Sequence, residues 1–76
     1  MARFVLYHTD GCHLCEQAYS LALQTLPASD IEKIDITSNE ALMQSYQTTI
    51  PVFERKSDHV QLSWPFELSQ IQQLVE

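Results

Sequence analysis

The first half of the chain reads as a strand, a helix and a second strand in close succession, and this order constrains the fold more than any other feature. Residues 4–7 form a short apolar run with polar residues after it, which is typical of a buried strand. From Cys15 to about Leu26 there is no glycine, proline or aspartate, and Pro27 ends the segment. Residues 34–36 alternate apolar and polar, a second strand signal with Ile31 as a lead-in. This spacing predicts a right-handed parallel crossover. The apolar stripe expected on the helix is Leu14, Ala18, Leu21, Ala22 and Thr25.

The second half predicts another helix, a hairpin and a closing helix. Thr37, with Glu40 three residues later, has the pattern of a capping box that opens a short helix, although a surface loop is the alternative for this segment. Residues 52–55 and 60–62 are short strand candidates joined by four polar residues, so we expect them to pair antiparallel. Pro65 suits the first position of the closing helix, where a missing N–H costs nothing.

These elements follow the order β-α-β-α-β-β-α, which predicts an α/β fold with a mixed four-stranded sheet and helices covering its faces. A chain of 76 residues without repeats or a linker is expected to form one domain, residues 1–76.

The charge of the chain disfavours two classes of partner. Ten acidic residues against four basic ones give a net charge of −6, and the basic residues are scattered. Nucleic acids and anionic membranes both require a basic surface, so we expect neither as a partner. No apolar run approaches the roughly 18 residues of a membrane span, and the first residues lack a signal-peptide core. We therefore expect a cytoplasmic protein. For so small and acidic a domain we expect a monomer.

Cys12 and Cys15 are the two cysteines of the chain, and they lie where the first strand passes into the first helix. Free N–H groups at a helix N-terminus favour an anion at Cys12, whereas Cys15 lies one turn inside and is better protected. This predicts Cys12 as the attacking thiolate and Cys15 as the resolving thiol. The helix N-terminus stabilises an anion by about 0.3–1 kcal/mol, so we expect a modestly lowered thiol pKa at Cys12. Protonated His13 would add to this effect, and Glu16 would oppose it.

Two other uses of the cysteine pair fit the sequence less well. In the chain-entropy model, a disulfide that closes four residues gains only about 1.9 kcal/mol, and thiols in the cytoplasm are kept reduced. A structural metal site would need further ligands. His8, His13 and His59 are available, but no second Cys-x-x-Cys or His-x₃₋₅-His motif follows, so we expect no metal. Gly11 indicates a backbone conformation that other residues resist, or else close approach of a partner chain. An ordinary Asp-Gly turn is the alternative.

"CHLC" after an apolar strand, "TIPVF" about 35 residues later and a closing strand and helix together resemble the small glutaredoxin-like proteins of the thioredoxin superfamily. The resemblance implies a thioredoxin fold, Cys12 as nucleophile, Cys15 as resolving cysteine, and Pro51 as a cis-proline facing them. It also implies that the backbone at Ile50 hydrogen-bonds an extended substrate segment as an added strand would. The alternative for Pro51 is a proline that merely begins a strand.

The segment after the hairpin departs from the family pattern. Glutaredoxins commonly have a Gly-Gly pair and an acidic residue there, which contribute to glutathione binding, whereas "HVQLS" here runs directly into "WPFE". Trp64 in this segment is expected to pack against the core rather than to contact a partner.

The resemblance and the cysteine pair together predict a thiol-disulfide oxidoreductase without a resident cofactor. Its substrate would be a protein or small-thiol disulfide, and glutathione or a reductase would restore the dithiol. The alternatives are a metal or iron–sulfur carrier with Cys12 as a ligand, and a redox-silent adaptor that binds a partner near Pro51. The expected substrate-binding residues are Gly11, His13, Ile50 and Pro51.

Overall fold

The structure, a computed structural model, describes residues 2–76. The predicted order β-α-β-α-β-β-α is confirmed. The strands and helices are β1 (Phe4–His8), α1 (His13–Ala22), β2 (Ile31–Asp35), α2 (Glu40–Tyr46), β3 (Val52–Arg55), β4 (Val60–Ser63) and α3 (Leu68–Val75). Two single turns of 3₁₀ helix, Ala28–Asp30 and Ile36–Ser38, flank β2. In the described part of the chain, no helix is long and apolar enough to span a bilayer.

The four strands form one mixed sheet in the order β2-β1-β3-β4. β1 runs parallel to β2 and antiparallel to β3, and β3 and β4 form the predicted antiparallel hairpin. Tyr7 near the end of β1 lies opposite Val52 at the start of β3. The loop that follows β1 and the segment that precedes β3 therefore lie at the same end of the sheet.

The hydrophobic core lies on one face of the sheet. Phe4 and Leu6 point to this face because alternate residues of a strand share a side, and both are buried. The Phe4 ring stacks on Phe53 at 5.3 Å, and Phe66 packs against Phe53 at 6.3 Å. Each fully buried aromatic or aliphatic side chain contributes roughly 1.5–3 kcal/mol. Helices α1 and α3, the segment between α1 and β2 and the first residue of β2 supply the other buried side chains of this core, which are Ala18, Ala22, Leu26, Ile31, Ile71 and Leu74.

The opposite face of the sheet is more polar. Val5, Tyr7 and Glu54 belong to it, since Val5 is paired with Glu54 and alternates with the core residues. Helix α2 contributes no buried residue, but Tyr46 at its end stacks on Tyr7 with 4.6 Å between ring centroids. The helix is thus attached to this face through an aromatic pair.

Helix α1 differs from its predicted extent and stripe. It ends at Ala22 rather than near Leu26. The following residues form tighter turns, in which the Gln24 and Thr25 N–H groups donate to the carbonyls three residues before them. Leu14, predicted within the buried stripe, is 46% exposed. The buried residues of α1 are Cys15, Ala18 and Ala22, and Leu14 falls at the margin of the stripe that they define.

The predicted capping box at Thr37 is wrong. Asn39 is the N-cap of α2, and its side-chain oxygen accepts from the N–H groups of Ala41 and Leu42 at 2.8 and 3.3 Å. Thr37 lies in the preceding 3₁₀ turn, where its side chain and N–H both donate to Asp35. These two hydrogen bonds lower the pKa of the Asp35 carboxyl.

The predicted start of the closing helix at Pro65 is also wrong. Helix α3 begins at Leu68, and Glu67 is its N-cap in a reciprocal capping box with Gln70. Phe66 between Pro65 and the helix is buried in the core, so the chain must reach the core before it can turn into the helix. Trp64 packs edge-to-face on Phe66 at 5.1 Å, which confirms its predicted packing.

Candidate active site

The loop between β1 and α1 turns at Gly11. This residue has φ +78°, in the left-handed region that side chains other than glycine resist. No atom lies within 4 Å of the place where a Cβ would stand, so the backbone conformation and not the packing requires glycine here. The turn closes with the Cys12 N–H donating to the Thr9 carbonyl at 3.4 Å. Gly11 therefore directs the chain from β1 into the first turn of α1.

The two cysteines are paired as a disulfide at the start of α1. Cys12 is the N-cap residue with extended backbone, and Cys15 lies within the first turn. Their Cα atoms are 5.2 Å apart, which is ordinary for a disulfide. The Cys12 Sγ accepts a hydrogen bond from the Cys15 N–H at 3.1 Å. Cys15 is 3% exposed, whereas Cys12 is half-buried.

This geometry gives the two sulfurs unequal environments. The Sγ of Cys12 receives a backbone donor and lies at the positive end of a helix, and both features stabilise a thiolate. Cys15 is shielded from solvent and, within the same turn, is close enough to bond with Cys12. The site can therefore form and break a disulfide with one accessible sulfur.

The charged residues next to the cysteines pair with each other. His13 Nδ1 and Glu16 Oε2 are 3.2 Å apart, and both side chains are exposed. An exposed pair of this kind contributes about 0–1 kcal/mol. The two side chains that were expected to act on Cys12 in opposite directions therefore face each other.

A cavity of about 220 Å³ opens beside the disulfide. Lys33 of β2 and Tyr19 of α1 line it together with Gly11, Cys12 and Cys15. The Lys33 ammonium lies 4.7 Å from the centre of the Tyr19 ring, a cation–π distance. Sequence reasoning missed both residues, although the parallel register that pairs Lys33 with Leu6 places the lysine on the same face as α1.

The Ile50–Pro51 segment precedes β3 at the same end of the sheet. Its peptide bond is cis, and Pro51 is buried. The Pro51 carbonyl accepts from the Trp64 N–H at 3.3 Å, and the Ile50 N–H donates to the Tyr46 carbonyl at 3.1 Å. Among the backbone hydrogen bonds of residues 2–76 that lie outside the helices and strands, none is accepted by the Ile50 carbonyl. Of the two Ile50 backbone groups, the N–H is therefore the one that is hydrogen-bonded within the protein by these contacts.

The structure groups only some of the predicted site residues in one cavity. Gly11, Cys12 and Cys15 share the cavity described above, while His13 lines a neighbouring surface hollow with Glu16. Ile50 and Pro51 line neither of these two cavities. The β1–β3 pairing places these two residues at the same end of the sheet as the cysteine loop.

Of the three histidines, His8 lines the cavity beside the cysteines and His13 does not. His59 lies in the β3–β4 turn at the opposite end of the sheet from Cys12. Over residues 2–76, no three side chains of histidine, cysteine, aspartate or glutamate are grouped as metal ligands.

The fold and the site define a class of protein: a thioredoxin-superfamily domain with a Cys-x-x-Cys pair at the start of its first helix. Residues 3–76 match the model of the glutaredoxin-like domain (DUF836). The chain therefore belongs to the glutaredoxin-like family, as the sequence resemblance predicted.

Solved structures support this assignment. The solution structure of XcR50 from X. campestris is 31% identical, with 99% of this chain and 92% of that one aligned at a TM-score of 0.82. The X-ray structure of XcR50 aligns at a TM-score of 0.79 with 26% identity, over 95% of this chain and 93% of that one. Ne2328 from Nitrosomonas europaea is 27% identical at a TM-score of 0.74, over 96% and 88% of the two chains. No curated protein matches the sequence.

Proposed function

We propose that this protein is a thiol-disulfide oxidoreductase in which Cys12 attacks a substrate disulfide and Cys15 resolves the product. One observation carries the proposal: Cys12 is the half-buried N-cap of α1 and its Sγ accepts the Cys15 N–H, while Cys15 itself is 3% exposed. Exchange requires one accessible, stabilised thiolate and one protected partner.

The reaction begins from the reduced pair. The Cys12 thiolate attacks one sulfur of a substrate disulfide, a bond forms between the two sulfurs, and the substrate S–S bond breaks. The displaced substrate sulfur leaves as a thiolate and takes a proton. The product is a mixed disulfide between Cys12 and the remaining half of the substrate.

Cys15 completes the exchange. Its thiol loses a proton and attacks the Cys12 Sγ, which breaks the mixed disulfide and releases the second substrate thiol. Two electrons and two protons have then passed to the substrate, and Cys12 and Cys15 form the disulfide. Glutathione or a reductase supplies two electrons and two protons to restore the dithiol. The cytoplasm, where thiols are kept reduced, is a compartment that suits this cycle.

Substrate docking is proposed at the end of the sheet that carries both segments. An extended stretch of the substrate would donate a backbone N–H to the Ile50 carbonyl, alongside Pro51. Gly11 has no side chain, and no atom lies within 4 Å of the place where its Cβ would stand, so it would let the substrate backbone approach Cys12. Exposed His13 would contact the substrate next to the attacked sulfur.

Trapping of the mixed disulfide tests the proposal. Cys15→Ser lacks the resolving thiol, so the reduced variant should accumulate a stable mixed disulfide with a disulfide-containing peptide. Cys12→Ser, the matched control, should trap little because its remaining thiol is buried. Mass spectrometry of the intact variants measures both products. Equal trapping by the two variants would contradict the assigned roles, and no trapping by either would favour a redox-silent adaptor.

A further inference from the structure

The carbonyl of Tyr46, at the end of α2, gathers the segment that leads to Pro51. It accepts hydrogen bonds from the Thr49 N–H at 2.9 Å, the Ile50 N–H at 3.1 Å and the Thr49 hydroxyl at 3.3 Å. Three donors on one acceptor fix the path of residues 47–50. The position of the Ile50 carbonyl therefore depends on where Tyr46 is held.

The side chain of Tyr46 is attached to two strands of the sheet. Its ring stacks on Tyr7 of β1, with the ring planes 18° apart. Its hydroxyl accepts a hydrogen bond from the Gln61 side chain of β4 at 2.8 Å. These two contacts attach the end of α2 to the sheet.

Gln61 is itself held by a buried carboxylate. Its side-chain nitrogen donates to Glu54 Oε1 at 2.7 Å, and Glu54 Oε2 lies 3.1 Å from His59 Nδ1. Glu54 is 6% exposed, and in the described part of the chain it is the one buried residue with an ionisable carboxyl or basic group. Burial, followed by the Glu54 charge, raises the pKa of Tyr7. Burial of a carboxylate costs free energy unless the carboxylate is hydrogen-bonded. Here the hydrogen-bond donor is Gln61, which also donates to the Tyr46 hydroxyl.

We propose that Tyr46 is a positioning residue that, with Gln61 and Glu54, holds residues 47–50 so that the Ile50 carbonyl is presented to an extended peptide substrate. This inference rests on the proposed function, since it assumes that the protein exchanges disulfides. Tyr46 acts through Ile50 and does not line the cavity beside Cys12.

The arrangement separates two substrate classes. A peptide disulfide long enough to reach Ile50 uses the presented carbonyl, so its binding depends on Tyr46. A small disulfide such as 2-hydroxyethyl disulfide meets only the cysteine loop, so its reduction does not depend on Tyr46. The substrate class whose binding depends on Tyr46 is therefore the peptide disulfide.

Steady-state reduction of both substrates tests the inference. We would compare the full-length wild type with Tyr46→Ala, Tyr46→Phe, Gln61→Leu and the control Gln44→Ala, an exposed change on the same helix. The expected result for Tyr46→Ala is a KM for a synthetic disulfide-linked peptide raised about fivefold, the effect of one ordinary hydrogen bond. Its kcat, its rate with 2-hydroxyethyl disulfide and the redox equilibrium of its cysteine pair should stay as in the wild type. Tyr46→Phe and Gln61→Leu should shift the peptide KM in the same direction by less.

Amide hydrogen exchange tests whether Tyr46 holds residues 47–50 in place. The Ile50 and Thr49 amides should exchange faster in Tyr46→Ala, while those of β1 and β3 should be unchanged. An unchanged peptide KM despite faster exchange at Ile50 would overturn the inference. Equal losses with both substrates would also overturn it, because Tyr46 would then support the whole fold. If Tyr46→Ala does not fold, Tyr46→Phe and Gln61→Leu decide by the same KM criterion. A wild type inactive on both substrates would instead refute the proposed function.

Discussion

Replacement of Gly11 by alanine should destabilise the protein at the entry to α1. A left-handed backbone costs a residue with a Cβ about 1–2 kcal/mol, and Gly11 has φ +78°. Alanine also lowers the conformational entropy of the unfolded chain, which stabilises the folded protein by about 0.4–1 kcal/mol. The added methyl group meets no atom within 4 Å, so no steric cost is added. The net loss should be about 1 kcal/mol, which lowers the Tm of a domain of this size by about 4–8 °C.

Urea and thermal unfolding of the oxidised protein, followed by circular dichroism, measure this loss. Gly11→Asn is the matched variant, because asparagine tolerates the left-handed region better than alanine and adds a larger side chain to the same open space. It should lose clearly less stability than Gly11→Ala, with unchanged m-values in both. An alanine variant as stable as the wild type would refute the reasoning. An asparagine variant that loses as much as alanine would show that space, rather than φ, requires glycine.

Three further predictions concern the core, a helix cap and the hairpin. Phe53→Ala removes a fully buried ring that stacks on Phe4 and should cost about 3–5 kcal/mol in urea unfolding; a loss below about 1 kcal/mol would contradict its place in the core. Asn39→Ala removes the cap of α2 and should cost about 1 kcal/mol by the same assay, and an unchanged stability would refute the cap assignment. The hydrogen bond from Arg55 lowers the pKa of Asp58, so the stabilisation from this pair is present at neutral pH and is lost as pH falls through the lowered pKa. Arg55→Gln should raise the Asp58 pKa measured by carboxyl NMR, and an unshifted pKa would contradict the pairing.

The fold could be predicted from the sequence because its signals are local. The apolar run at residues 4–7 and the hairpin with four polar residues between its strands are each sufficient to identify an element. The element boundaries depend on packing and could not be predicted in the same way. Thr37 and Asn39 both suit an N-cap, but β2 extends to Asp35, which leaves Thr37 in the turn that follows. Pro65 suits the start of a helix, but Phe66 enters the core first.

The candidate site, like the fold, could be predicted from the sequence only in part. Cys12 and Cys15 are three residues apart, so one motif identifies both, together with their position on a helix. Strand register places Lys33 at the cavity beside the cysteines, and a stack on Tyr7 attaches Tyr46 to the sheet. Neither residue has a signal in the sequence around it. Residues that are brought together by distant strands require the structure, whereas the two cysteines lie close together in the sequence.

Equilibration of the purified protein in dithiothreitol and glutathione redox buffers tests the central claim most directly. Free thiols are measured at each potential in the wild type and in the single variants Cys12→Ser and Cys15→Ser. The account predicts a reversible two-electron transition of the wild type within the range of about −270 to −120 mV that related dithiols span, and no intramolecular transition in either variant. If no Cys12–Cys15 disulfide forms at any potential, the cysteine pair is not a redox couple and the proposed activity is wrong.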